Sequence, residues 1–106
     1  MRILITKPEL QGKQGGMTVA IEQVTSRLIK DENLQINYLE YTTRDKYIIY
    51  AANSSSTNRT FSTIQDAIRF DKPALVIVVG WHTWSEKVIR IAKGNQCKTI
   101  FWSHGV

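Results

Sequence analysis

The chain has 106 residues, of which 42% are hydrophobic and 22% charged, as is ordinary for one globular domain. No apolar run approaches the roughly 18–20 residues that a membrane-spanning helix needs, and the apolar residues after Met1–Arg2 are too few for a signal peptide. The single cysteine, Cys97, excludes an internal disulfide and a cysteine-built zinc site. The 14 basic and 9 acidic residues give a net charge of +5, which suits phosphate-bearing partners, but the cations are scattered and form no nucleic-acid stripe.

The first half of the chain predicts a strand, a helix and two further strands. Residues 2–6 form a β-branched run, and a turn with three glycines follows, at positions 12, 15 and 16. A helix is predicted next, from an apolar stripe at three- and four-residue spacing: Met17, Ala20, Ile21, Val24 and Leu28. Residues 31–33 end that helix, and the alternating run 34–41 predicts a half-buried strand. A shorter strand, 47–50, follows after a link too short for a crossover helix, so the pair is antiparallel or irregularly joined.

The second half predicts a loop followed by two helix–strand units. The polar run 53–60 is expected to be a loop. Ser62-x-x-Gln65 and Thr83-x-x-Glu86 are two capping boxes, each expected to begin a helix. Pro73 stops the first helix, and Gly94 is expected to cap the second in the left-handed conformation. Strands 74–79 and 98–102 follow the helices, and the first is apolar on both faces, as in a central parallel strand.

This order of elements predicts an α/β fold. We expect an open, mainly parallel, doubly wound (Rossmann-like) sheet with helices on both faces, forming one domain over residues 1–106. Ligands of such sheets bind beyond the carboxyl ends of the strands, where the strand order reverses. Three strand ends are therefore candidate sites, followed by the segments 12–16, 80–84 and 103–105.

The glycine segment 12–16 opens into a helix, so its backbone N–H groups could bind a phosphate or diphosphate. The alternative is that Gly15 and Gly16 only make a tight turn, since the pattern is neither a dinucleotide fingerprint nor a P-loop. Lys13 could add charge to a bound phosphate or could be an ordinary surface lysine.

Both histidines and all three tryptophans lie at or beside the other two strand ends. His82 and His104 could act as a base or donate a hydrogen bond, although His82 could equally be a surface histidine beside a helix cap. Trp81 is expected to face a cleft and Trp84 to pack. Two histidines without nearby cysteine or aspartate do not make a metal site, so neither a metal nor another cofactor is expected. Cys97 is interpreted as a bystander, and the carboxylates of Asp66 and Asp71 as part of a solvated face.

The motifs taken together resemble the start of glycosyltransferases of the GT-B fold, especially family 4. The resemblance is carried by MRILIT with a loop ending QGGM, then VVGWHTWS, then IFWSHGV, and it extends over essentially the whole chain. It implies that Gly15 and Gly16 face the donor diphosphate and that His104 is the catalytic-site residue near the acceptor or the transferred sugar. It also implies that Trp81 and His82 shape the acceptor side.

The resemblance implies an N-terminal, acceptor-side part of an enzyme that transfers a sugar from a nucleotide-sugar donor to a carbohydrate or lipid-linked acceptor. It also implies that the domain formed by residues 1–106 is incomplete and that a second domain belongs to the full enzyme, so the chain is expected to be inactive alone and to self-associate through its truncated edge. The expected location is the cytoplasm, with the inner face of the membrane as a second possibility. The alternative hypothesis is a small non-catalytic module that binds a phosphate-bearing ligand or a protein. A nucleic-acid partner is not expected.

Overall fold

The computed structural model describes residues 1–7, 16–41, 46–52, 58–79 and 84–102, and only the backbone of residues 16–20 and 22. Within these ranges, six strands form one sheet and three helices pack against it. The elements are β1 (Arg2–Lys7), α1 (Gly16–Ile29), β2 (Gln35–Tyr41), β3 (Tyr47–Ala51), β4 (Arg59–Phe61), α2 (Ile64–Asp71), β5 (Leu75–Val79), α3 (Ser85–Gly94) and β6 (Lys98–Trp102).

The strand order across the sheet is β4-β3-β2-β1-β5-β6. β1 pairs in parallel with β2 on one side and β5 on the other, and β6 pairs in parallel with β5. β3 pairs antiparallel with β2, and β4 pairs antiparallel with β3. Of the two arrangements left open for the predicted strands 34–41 and 47–50, the structure has the antiparallel one. The predicted α/β class is therefore confirmed, but the sheet is mixed, so its mainly parallel, doubly wound form stays a prediction.

Helices cover both faces of the sheet, because the side chains of its central strands alternate between two apolar clusters. Ile3 and Ile5 of β1 belong to one cluster with Ile21 of α1. Leu4, between them, belongs to the other cluster, which includes Ile68 of α2 and residues of α3. Each fully buried Leu or Ile side chain contributes roughly 1.5–3 kcal/mol. The two-sided burial explains why β1 and β5 are apolar at every central position.

β2 differs from its prediction because it is covered on both faces. Asn37 is 9% exposed and Leu39 is fully buried, so the strand is not half-buried. The buried amide is satisfied by the helix packed on this face: Asn37 Nδ2 donates to Asp71 Oδ1 at 2.6 Å. Asp71, predicted on a solvated face, is 1% exposed, because it is the last residue of α2 and points inward at the sheet. Its backbone oxygen accepts a hydrogen bond from Arg2 Nη1 at 2.6 Å.

The N-cap of α2 lies one residue later than the predicted one, Ser62. Thr63 is the N-cap, and its hydroxyl accepts a hydrogen bond from the backbone N–H of Asp66 at 3.1 Å. Ser62 instead accepts a hydrogen bond from Lys46 Nζ at 3.1 Å. The two adjacent hydroxyls look alike in the sequence, and the backbone entry angle decides which one caps the helix. At the other end, Lys72 takes a left-handed conformation (φ 50°) before Pro73, which stops the helix as predicted.

Both predicted caps of α3 need revision. The N-cap is Trp84, which makes no side-chain capping hydrogen bond, and Thr83 lies outside the described residues. Gly94 is the last helical residue rather than a left-handed cap. The residue with a positive φ at this end of the helix is Gln96 (φ 63°), two residues later, where the chain turns towards β6.

The sequence predicts no strand at β4, because residues 59 and 60 belong to the predicted loop 53–60. The strand pairs with β3, from Tyr47 opposite Phe61 to Ile49 opposite Arg59. Phe61 also packs against Phe70 of α2, with ring centroids 5.2 Å apart. Pairing with β3 and this aromatic contact stabilise a polar segment whose own sequence favours a loop.

Candidate functional site

The candidate site is the edge of the sheet where the parallel strands end. β1, β2, β5 and β6 end at Lys7, Tyr41, Val79 and Trp102. These four strands are adjacent in the sheet and run parallel, so their carboxyl ends lie at one edge of the sheet. The chain moves outward from β1 to β2 and later returns to β5 on the other side, so the strand order reverses between β1 and β5. A crevice at such a reversal is the usual ligand position in α/β sheets.

Most of the predicted site residues lie outside the described residues: Lys13, Gly15, Trp81, His82 and His104. Gly16 is the first residue of α1, a helix of 14 residues. The strands that precede the other predicted segments, β5 and β6, are adjacent and parallel. The structure therefore shows how the strands before these segments are arranged, but it does not describe the segments themselves.

A side-chain hydrogen bond joins β1 and β5 at the reversal point. The hydroxyl of Thr6 accepts from the backbone N–H of Val79 at 3.0 Å, and Thr6 is 1% exposed. The paired residues of these strands run only from Ile3 opposite Leu75 to Ile5 opposite Ile77. Beyond them a hydroxyl takes the place of a strand carbonyl as the acceptor for Val79. Thr6 therefore holds together the two strand ends that precede the glycine segment and the segment 80–83.

Lys7 places a cation at this edge, on the face covered by α1. Its Nζ lies 5.0 Å from the ring centre of Tyr38 and 5.8 Å from that of Tyr50. The two rings themselves are 5.4 Å apart and tilted by 56°. Cation–π contacts of this kind restrain a lysine while leaving its charge intact. Lys7 is thus a cation at the end of the strand that precedes the predicted phosphate-binding segment 12–16.

The predicted strand 2–6 ends one residue too early, although the sequence pattern indicates that Lys7 belongs to β1. Positions 3, 5 and 7 of β1 share one face, so a lysine two residues after Ile5 belongs to the strand end on the α1 side. Tyr38 and Tyr50 are opposite each other in the pairing of β2 with β3, which needed the antiparallel register to be known.

Tyr50 is fixed by a carboxylate. Its hydroxyl donates to Glu40 Oε2 at 2.8 Å. Burial, and then this hydrogen bond to Glu40, raise the pKa of the Tyr50 phenol far above its ordinary value. The phenol therefore stays protonated near neutral pH and serves as a donor, not as a base. Its part in the site is to position Glu40 and the ring that Lys7 contacts.

A second aromatic cluster lies on the other face of the same edge. The Tyr41 ring is 5.3 Å from Tyr47 and 6.0 Å from Trp84, measured between centroids. Trp84 is 8% exposed and belongs to the core cluster of α2 and α3. The prediction that Trp84 packs is confirmed. This cluster anchors the start of α3 behind the edge.

Two concave surfaces lie on the face covered by α2 and α3. One, of about 330 Å³, is at the N-terminal ends of these helices, and Ser62, Thr63, Lys87 and Arg90 are among its lining residues. The other, of about 370 Å³, is at their C-terminal ends, next to Lys72 and Cys97.

Metal and thiol chemistry find no support in the part of the chain that the structure describes. No three residues of the types His, Cys, Asp and Glu come together there. Burial raises the pKa of the Cys97 thiol, and the nearby charge of Asp71 raises it further. A thiol with a raised pKa is neutral at pH 7 and is a poor nucleophile.

Comparison with known proteins adds no assignment. No protein-family model matches this chain, and no curated protein and no solved structure matches it either. Among the described residues, no helix is long and apolar enough to cross a membrane.

Proposed function

We propose that this chain is the N-terminal, acceptor-side part of a GT-B glycosyltransferase, which transfers a sugar from a nucleotide-sugar donor to an acceptor hydroxyl. The observation that carries the proposal is the strand order. The strands before the three predicted site segments, β1, β5 and β6, are consecutive and parallel in the sheet, and the order reverses between the first two. The segments 8–15, 80–83 and 103–106 therefore start from one sheet edge.

The same observation supports a Rossmann-like interpretation of the fold. The four parallel strands, β2, β1, β5 and β6, form a doubly wound sheet with helices on both faces, and β3 and β4 extend it beyond β2. In this proposal the helix that begins at Gly16 directs its N-terminal N–H groups towards the donor diphosphate. Lys7, held between two tyrosines, supplies a nearby positive charge.

The roles of the other residues follow from the sequence resemblance. His104 contacts the acceptor or the transferred sugar, whereas Trp81 and His82 shape the acceptor side. Lys13 adds charge to the phosphate region. The partners are a nucleotide sugar and a carbohydrate or lipid-linked acceptor. Catalysis consists of positioning the two substrates and stabilising the leaving diphosphate, and it needs the second domain of the fold. The enzyme works in the cytoplasm or at the inner face of the membrane.

The test is sugar transfer by the product of the complete gene, with His104→Ala and Gly16→Ala as variants. We expect each to lower turnover by about tenfold or more while the folded state persists. Gly94→Ala is the matched glycine control, since a methyl group at Gly94 would meet nothing within 4 Å. Lys98→Ala, at an exposed position, is the control for His104.

Unchanged turnover in both site variants would show that these residues are not part of the site. If the gene product transfers no sugar but the chain binds inorganic diphosphate, the non-catalytic phosphate-binding module becomes the better function. Binding is measured by titration calorimetry on the 106-residue chain and on its Lys7→Gln variant.

A further inference from the structure

Among the described residues, charged side chains are unevenly distributed between the two helical layers. The outward sides of α2 and α3, with the residue that follows α2, carry five exposed cations, which we call the basic face: Arg69, Lys72, Lys87, Arg90 and Lys93. Two exposed carboxylates, Asp66 and Glu86, lie on the same helices. On the opposite layer, the exposed charges described at the end of α1 and just after it are balanced, with two basic and two acidic residues: Arg27, Lys30, Asp31 and Glu32.

The cations of the basic face share one side because of helix geometry. α2 buries positions 64, 67, 68 and 71, and α3 buries 85, 88 and 92, all against the same sheet face. The remaining arcs of both helices, with Arg69 on one and Lys87, Arg90 and Lys93 on the other, therefore point away from the sheet. Glu86 pairs with Arg90 at 2.8 Å, which is the one ion pair within the described ranges. The other cations of the face are not neutralised by a described carboxylate.

An exposed apolar side chain also lies on α2, on the side of the helix that contacts β4. Phe70, next to Arg69 on α2, is 46% exposed. The Arg59 guanidinium lies 4.9 Å from the centre of its ring, and the Phe61 ring is 5.2 Å away. Because a cation and a second ring already contact Phe70, stacking a nucleic-acid base on it would displace them. Insertion of the exposed part of the ring among acyl chains would leave these contacts in place.

We propose that the basic face docks on a lipid surface that carries anionic headgroups. Lys and Arg bind the headgroup phosphates, and each cation near such a surface contributes about 1 kcal/mol. Exposed Phe70 enters the boundary between headgroups and acyl chains, as apolar residues of peripheral proteins do. The groove of about 330 Å³ beside Lys87 and Arg90 leaves room for one headgroup at this face. The docking surface adds to the location proposed above, and it does not depend on sugar transfer.

The test is binding of the full chain to vesicles of two compositions at low salt: phosphatidylcholine alone, and phosphatidylcholine with about 30% phosphatidylglycerol. We expect binding only to the anionic vesicles, and weaker binding as salt increases. The Lys87→Gln/Lys93→Gln double variant should lower the partition coefficient by about tenfold or more. The matched control, Arg27→Gln/Lys30→Gln, removes the same charge from the other layer and should change it by less than about twofold.

Equal losses in both double variants would overturn the proposal, because net charge alone would then explain binding. Equal binding to the two vesicle types, or tighter binding of single-stranded DNA than of anionic vesicles, would also overturn it. Lysine acetylation of the unmutated chain gives a second measurement that needs no variant. Anionic vesicles should protect Lys87 and Lys93 and leave Lys30 reactive, and the reverse pattern would contradict docking by this face.

Discussion

At the scale of single residues, Asp71 is a buried carboxyl group that links the stability of the fold to pH. It is 1% exposed, and its Oδ2 atom has no hydrogen-bond partner among the described atoms. Burial raises its pKa above the ordinary value, although the hydrogen bond from Asn37 and the charge of Arg2 act in the opposite direction. A raised pKa means that the native state keeps this proton to a higher pH than the unfolded chain does.

The sign of the pH dependence follows from this difference. Between the ordinary pKa of 3.8 and the raised native pKa, the folded chain binds more protons than the unfolded chain, so the free energy of unfolding decreases as pH rises. We expect Asp71→Asn, which keeps an acceptor for Asn37, to stabilise the protein by about 1 kcal/mol at pH 7 and to flatten this pH dependence. Urea unfolding at a series of pH values measures both effects.

The exposed carboxylate of Glu32 supplies the control for Asp71. Glu32→Gln should leave the pH dependence of the wild type in place. A steep dependence that survives in Asp71→Asn would mean that another group is responsible.

At the scale of elements, the structure shows which of two adjacent hydroxyls, Ser62 or Thr63, caps the start of α2. Thr63 accepts the capping hydrogen bond, and Ser62 accepts only from exposed Lys46. Thr63→Ala should lower the free energy of unfolding by about 1 kcal/mol, since an orphan N–H group loses its acceptor. Ser62→Ala should change it by less than about 0.5 kcal/mol. Chemical denaturation of both variants measures the difference, and the opposite ranking would restore Ser62 as the cap.

The junction of β1 and β5 depends on one buried hydroxyl. Thr6→Val keeps the side-chain shape but leaves the N–H of Val79 without its acceptor, which costs about 1–3 kcal/mol. Thr60→Val, on exposed β4, is the matched control and should be close to neutral. Thermal unfolding compares the two. Amide hydrogen exchange at Val79 should also become faster in Thr6→Val, and unchanged exchange there would contradict the role given to Thr6.

At the scale of the whole molecule, the described sheet ends in a strand with apolar exposed side chains. β6 pairs only with β5 among the described strands, and Ile100 is 50% exposed. Edge strands of this kind pair with other chains unless charges prevent it.

We expect concentration-dependent self-association of the 106-residue chain through β6. Ile100→Lys should weaken it by about tenfold or more, because it places a charge on the edge. Ile29→Lys, at a position on α1 that is 37% exposed, is the control and should leave association unchanged. Sedimentation equilibrium measures both variants, and a wild-type chain that is monomeric at all concentrations would show that β6 is not an association surface.

Much of the fold could be predicted from local patterns in the sequence. The helices α1, α2 and α3 and the strands β1, β2, β3, β5 and β6 lie within a few residues of their predicted positions, because apolar periodicity and Pro73 act locally. β4 could not be predicted, since a short polar segment becomes a strand only when a partner strand supplies hydrogen bonds. The sequence predicts the candidate site at the carboxyl edge of the sheet, and most of the residues that it assigns to the site lie outside the described ones. Its described residues, Thr6 and Lys7, depend on which strand lies beside β1.

The sequence by itself determined the α/β class, the order of the elements other than β4 and the two-sided burial of β5. Each of these depends on the spacing of apolar residues along the chain. Only the tertiary structure decided the antiparallel direction of β3 and β4, the inward position of Asp71 and the collection of cations on one face. These features depend on contacts between residues far apart in the chain, such as Asn37 with Asp71 and Thr6 with Val79. No local pattern encodes such contacts, because packing of the helices and strands creates them.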